Sequence, residues 1–205
     1  QISIMNDVGI FASNLITSDS YIKTMNLNLC HRCNISCRYC FASGGGYGSN
    51  ATDMSVEIAT KSLESFISQI PKGCIGNVIL FGGEPLLNKP LVNKIIQYGR
   101  SLSNNYENHV IYDIFTNGTL LDDQIASLLM DDDIRILLSI DGPEEINGLY
   151  RISKSKNTVT ELFEKNIKRI QNVPKEKIVV RCTIAGMEHN LINRIRYFEF
   201  LGMKN

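Results

Sequence analysis

The chain of 205 residues predicts an α/β fold of parallel strands joined by helices, and three observations carry that reading. Short β-branched, apolar runs alternate with longer segments whose apolar residues recur at helical spacing, the pattern of βα units with right-handed crossovers. One run, Ile134 to Ile140, is apolar apart from Arg135 and Ser139, as expected of a strand buried on both faces. Residues able to carry chemistry fall just beyond the ends of strands one to four, where barrels and related open sheets place their sites. About five βα units can be counted, enough for one substantial core.

The elements follow in order. Strand one, Ile22 to Leu29, leads into a cysteine loop and the glycine-rich Ser43 to Ser49. A helix from about Ser55 to Ile70 aligns Val56, Ala59, Leu63, Phe66, Ile67 and Ile70 on one face, and Pro71 ends it. Strand two is Asn77 to Phe81, and the helix after it carries Leu91, Ile95, Ile96 and Leu102. Strand three, Val110 to Thr116, stops at Asn117-Gly118, and a short helix follows Asp122 with Ile125, Leu128 and Leu129 inward. After strand four, Thr158-x-x-Glu161 forms a capping box for a helix that buries Leu162, Phe163, Ile167 and Ile170. Strand five is Lys177 to Ile184. A last helix starts near Asn190, which caps it, with Leu191, Ile195, Phe198 and Leu201 as its stripe.

Lys plus Arg equals Asp plus Glu at 21 each, so there is no basic footprint for nucleic acid. No apolar run approaches the ~20 residues that span a bilayer, and no signal segment is present. Six cysteines in 205 residues, read as reduced thiols, fit a cytoplasmic protein. The start at Gln1 rather than Met leads us to expect a fragment of a longer polypeptide. Within it, 1–21 reads as an N-terminal extension and 22–205 as a core that is expected to continue into a further strand.

Cys33, Cys37 and Cys40, spaced C-x3-C-x2-C after strand one, are the most informative residues. Three thiolates in one loop can hold an iron–sulfur cube by three of its irons, leaving the fourth open to a small molecule. Electron-transfer clusters normally take four cysteines, whereas an open position marks a catalytic metal site. Cys30 extends the run to four, but three residues between ligand pairs are too few for zinc, whose pairs stand a dozen or more apart. Cys74 and Cys182 read as small buried hydrophobes. His31, His109 and His189 lack ligand spacing. At the end of strand two, Phe81-Gly82-Gly83-Glu84-Pro85 brings backbone close to a ligand, because glycine has no Cβ in the way. Glu84 adds a carboxylate there.

Cys33-Asn34-Ile35-Ser36-Cys37-Arg38-Tyr39-Cys40 and the Gly-Gly-Glu-Pro segment closely resemble the radical S-adenosylmethionine (SAM) superfamily. That resemblance implies a partial, six-stranded TIM-type barrel holding a [4Fe-4S] cluster on Cys33, Cys37 and Cys40. Its open iron binds SAM, and reduction cleaves SAM to a 5′-deoxyadenosyl radical that abstracts hydrogen from a substrate. By the same resemblance, Gly82, Gly83 and Glu84 receive SAM's amino group, and Tyr39 lies near the adenine. Thr116 and Asn117 line the SAM site. Ser139 and Asp141 face its ribose or carboxylate, Arg151 forks onto the carboxylate, and Ile184 packs on the adenine.

The set Gly-Gly-Glu-Pro-Leu-Leu, Thr-Asn-Gly-Thr-Leu and Ser-Ile-Asp-Gly-Pro most resembles the peptide and protein maturases, such as anaerobic sulfatase-maturating and thioether-forming enzymes. It implies a peptide or protein substrate and a low-potential electron donor such as flavodoxin or ferredoxin. Molybdenum-cofactor cyclases, acting on a nucleotide, are the runner-up; a non-catalytic iron–sulfur or zinc protein is the alternative of another class. No acid–base residue can be assigned.

Overall fold

The computed structural model describes residues 21–48, 52–185 and 190–203. Five parallel strands form one sheet in the order β1 (Thr24–Asn28), β3 (Ile75–Phe81), β4 (His109–Thr116), β5 (Ile134–Ser139) and β7 (Ile178–Arg181). Spatial order follows chain order, as successive βα units require. The helices are α1 (Val56–Ile67), α2 (Lys89–Tyr106), α3 (Asp123–Leu128), α4 (Glu144–Tyr150), α5 (Val159–Ile167) and α6 (Leu191–Phe200). β1 and β7 are the two edges of this sheet, so the barrel is partial and not closed.

Local chemistry sets the helix starts. Ser55, Asn88, Asp122 and Asn190 each accept a backbone N–H of the first turn of α1, α2, α3 and α6. The expected capping box of Thr158 and Glu161 opens α5 with both reciprocal bonds made. A continuous apolar core lies under β3, β4 and β5, including Leu63, Leu80, Ile95, Ile114, Ile136 and Phe163.

Four expectations change. β5 is not buried on both faces: its burial alternates, with Arg135, Leu137 and Ser139 on the less covered side. Arg135 is tolerated there because Asp113, its cross-strand partner, accepts it bidentately at 2.7 and 2.8 Å. In α1, Val56 is 50% exposed, because the buried face starts at Ala59. In α6, Leu191 and Ile195 are exposed and the buried residues are Arg194 and Tyr197; Phe198 and Leu201 still pack against the core, and Arg194 is drawn in to donate to the Asp141 carbonyl at 2.6 Å. β7 is shorter than expected and ends at Arg181.

The helix α4 and two short strands have no counterpart in the periodicity. β2 (Ile35–Cys37) and β6 (Arg151–Ser153) pair antiparallel as a separate ribbon. Three residues each are too short for a pattern to show, and their partners lie more than a hundred residues apart. The ribbon places the cysteine loop over the C-terminal end of the sheet.

Candidate functional site

Cys33, Cys37 and Cys40 line a cavity of about 410 Å³ at the C-terminal ends of the parallel strands. With them stand Gly82, Gly83 and Glu84 from β3, Thr116 and Asn117 from β4, Ser139 from β5, and Tyr39 and Arg151. Eleven predicted site residues thus reach one place, through the sheet's parallel register and the β2–β6 ribbon. Two further grooves, of about 330 and 590 Å³, border α6 and β7 and contain no cysteine or histidine.

Each sulfur of the triad meets at least one N–H donor. Asn117 Nδ2 lies 3.8 Å from Cys33 Sγ, Arg151 Nη1 3.9 Å from Cys37 Sγ, and the Gly44 N–H 3.3 Å from Cys40 Sγ. A thiol is a weak acceptor and a thiolate a good one, so three sulfurs each facing a donor suit metal-bound thiolates. Burial pushes the Cys33 thiol up to about 11 and also raises Cys37, so iron binding would drive both deprotonations. Three thiols on one cavity wall, each with an N–H donor at its sulfur, are a donor set that fits a [4Fe-4S] group held by Cys33, Cys37 and Cys40.

The glycines serve the loop as well as the cavity. A Cβ on Gly83 would stand 2.1 Å from the Arg32 carbonyl oxygen, and one on Gly82 2.7 Å from that of Cys30. The Gly83 and Glu84 N–H groups donate to these same two carbonyls, Cys30 and Arg32, at 2.8 Å. Gly45, with φ +98°, packs its backbone against Gly83 and the Arg32–Cys33 peptide as well. The sequence assigned the missing Cβ atoms to a ligand's approach; the structure fills that space with the start of the cysteine loop.

Glu84 is 1% exposed. Its Oε1 accepts the Leu86 N–H at 3.0 Å and the Thr116 hydroxyl at 2.7 Å, and its Oε2 accepts the Asn117 N–H at 2.8 Å. Burial raises its pKa, and these three bonds act against that rise. The carboxylate thus ties the end of β3 to the end of β4. Glu84→Gln would turn an amide NH2 toward one of these donors. We expect a stability loss of about 1–3 kcal/mol, read as a lower urea midpoint with iron content unchanged. A midpoint equal to wild type would count against this role.

Other predicted residues are placed differently. Asp141 is fully buried and does not line the cavity. Its carboxylate accepts Arg151 Nε and Nη2 at 3.0 and 3.3 Å, the Thr183 N–H at 2.9 Å and the Tyr39 hydroxyl. It supports Tyr39 and Arg151 rather than facing a ribose. The forked carboxylate partner expected of Arg151 is, within the protein, Asp141. Ile184 is 51% exposed and outside the cavity lining, because β7 ends three residues before it. Cys30 is buried, donating to the Glu84 carbonyl at 3.1 Å. His189 lies outside the described residues.

Several lining residues were not anticipated. Phe41, Phe81 and Phe115 form an aromatic row, with centroids 6.4 and 5.6 Å apart, and the Arg181 guanidinium sits 4.9 Å above Phe115. The signal available was that Phe81, Phe115 and Arg181 end or nearly end their strands, as Thr116 and Ser139 do.

The Radical SAM superfamily model matches residues 27–199. An uncharacterized protein of Methanocaldococcus jannaschii is 33% identical over 75% of this chain and 51% of its own length. A cysteine-type anaerobic sulfatase-maturating enzyme of Clostridium perfringens is 29% identical over 82% of this chain and 45% of its own. The chain thus spans about half the length of these relatives. The solved structure of native anSMEcpe with bound AdoMet superposes with a TM-score of 0.77 at 22% identity, covering 90% of this chain and 50% of that one. That likeness gives the same partial barrel. With the matched span taking in the cysteine loop and all five strands of the sheet but for the start of β1, the chain belongs to the Radical SAM superfamily, whose cofactors are a [4Fe-4S] cluster and SAM.

Proposed function

We propose that this chain is the cluster- and SAM-binding core of an enzyme that modifies a peptide or protein side chain. Cys33, Cys37 and Cys40 hold the cluster, and the Gly82–Glu84 backbone with Thr116, Asn117 and Ser139 positions SAM. When bound, cluster and SAM together supply the reductive cleavage and the radical; the protein binds, orients and excludes competing reactions. Tyr39, fixed through Asp141, closes one side of the cavity. The electron comes from a low-potential donor such as flavodoxin or ferredoxin, which fits a cytoplasmic setting. No helix among the described residues is long and apolar enough to cross a membrane.

The observation that carries the peptide reading is the charge of the cavity. Its charged lining residues are Glu84, Arg151 and Arg181. Arg151 is paired with Asp141 and directed at Cys37, which leaves Arg181 beside an aromatic wall. A nucleoside triphosphate calls for several cations or a metal at its phosphates, whereas an uncharged side chain on an extended peptide suits apolar aromatic surface. The sulfatase-maturating relative points the same way.

The test is anaerobic reconstitution, iron analysis and spectroscopy, followed by product assay. We expect a four-iron cluster whose reduced-state signal changes with SAM. 5′-Deoxyadenosine formation should rise with cysteine- or serine-containing peptides and not with GTP. Stimulation by GTP alone would favour the nucleotide cyclase reading. A zinc-loaded protein, or a cluster indifferent to SAM, would overturn both.

A further inference from the structure

The β2–β6 ribbon sets Arg151 directly opposite Cys37 in register. Backbone bonds on either side, Arg38 N–H to the Tyr150 carbonyl and Lys154 N–H to the Asn34 carbonyl, hold that register. Arg151 is 6% exposed and Asp141 fully buried. With Nε and Nη2 taken by Asp141, Nη1 is aimed at Cys37 Sγ, 3.9 Å away. Asp141 is itself fixed by the Tyr39 hydroxyl and the Thr183 N–H. The donors to Cys33 and Cys40 are a neutral amide and a backbone N–H. Lys154 Nζ donates to the Cys33 carbonyl at 2.8 Å, so Cys37 is the member of the triad whose sulfur itself faces a cation.

We propose that Arg151, aimed by Asp141 and Tyr39, is a positioning residue that raises the reduction potential of the cluster by stabilising charge at Cys37. The proposal rests on Cys37 being a cluster ligand. Reduction moves one electron from a low-potential donor into the cluster, from the 2+ to the 1+ state, with no proton transferred and no bond broken. The product is the more negative state, so a nearby cation and an N–H···S bond favour it, and burial reduces screening. Asp141 opposes the effect. Of the two, Arg151 is the one in contact with Cys37, its Nη1 3.9 Å from the sulfur.

The charges give opposite predictions for the two partners. Wild type, Arg151→Met and Asp141→Asn are reconstituted anaerobically, assayed for iron, and titrated potentiometrically with EPR detection, without SAM. Arg151→Met should make one-electron reduction about tenfold less favourable, a fall of about 59 mV for one electron. Asp141→Asn should move the midpoint upward. A merely structural role would loosen the loop in both variants and move both midpoints the same way. Same-direction shifts, or an unchanged midpoint in Arg151→Met with full iron, overturn the proposal. If Arg151→Met fails to hold iron, Arg151→Lys and Asp141→Asn decide: the first should stay near wild type and the second rise, and a fall in Asp141→Asn overturns it. Cys37→Ala keeping four irons and the wild-type signal would instead remove the ligand assignment itself.

Discussion

Single replacement of Cys33, Cys37 or Cys40 with Ala is expected to abolish stable cluster binding and SAM cleavage. Three thiolates on three irons leave no spare ligand, and the fourth cysteine of the loop is not positioned to substitute. Cys30 is buried, and its thiol donates to the Glu84 carbonyl. Cys30→Ala should therefore keep iron at a cost of about 1 kcal/mol in stability. Cys74→Ala and Cys182→Ala should also keep cluster and cleavage; Cys182 Sγ faces the Asp141 carbonyl at 3.3 Å, not the triad. Iron content and 5′-deoxyadenosine formation read both outcomes. Loss of iron in Cys30→Ala with retention in Cys33→Ala would reverse the assignment.

Gly83→Val should be nearly as damaging, through a different cause. Its Cβ would sit 2.1 Å from the Arg32 carbonyl oxygen and 3.0 Å from Gly45 Cα, and neither is a side-chain end that can swing aside. Two backbone bonds of 2.8 Å hold the cysteine loop at that distance. Overpacking a well-filled site costs about 1–3 kcal/mol and sometimes more, and here the backbone itself must shift. We expect a loss above about 3 kcal/mol, a large part of a typical total of roughly 5–15 kcal/mol. Thermal unfolding and iron retention measure it. Gly45→Ala, 2.8 Å from Gly83 Cα at φ +98°, should behave alike. A Gly83→Val protein with wild-type melting and full iron would show that the loop does not dock as described.

Residue types and local spacing made the five parallel strands and most helix starts legible. Capping residues such as Ser55, Asp122 and Thr158 act within four residues of themselves, and core stripes repeat at a fixed period. The three cysteines were legible for the same reason, being packed into eight residues. Asp141 and Ile184 were assigned by resemblance, on their place next to a strand end. That place fixes where the backbone is and leaves open which way a side chain points.

By itself the sequence determined the order of βα units, the cysteine triad and the close backbone approach at Gly82-Gly83, since each depends on neighbours along the chain. Tertiary structure alone decided what fills that close approach, that Glu84 joins β3 to β4, and that Arg151 lies opposite Cys37. Those pairings span 32 residues for Thr116 and Glu84 and 114 for Arg151 and Cys37. Three-residue strands carry no period of their own, so such contacts form only once the sheet has set the register of both partners.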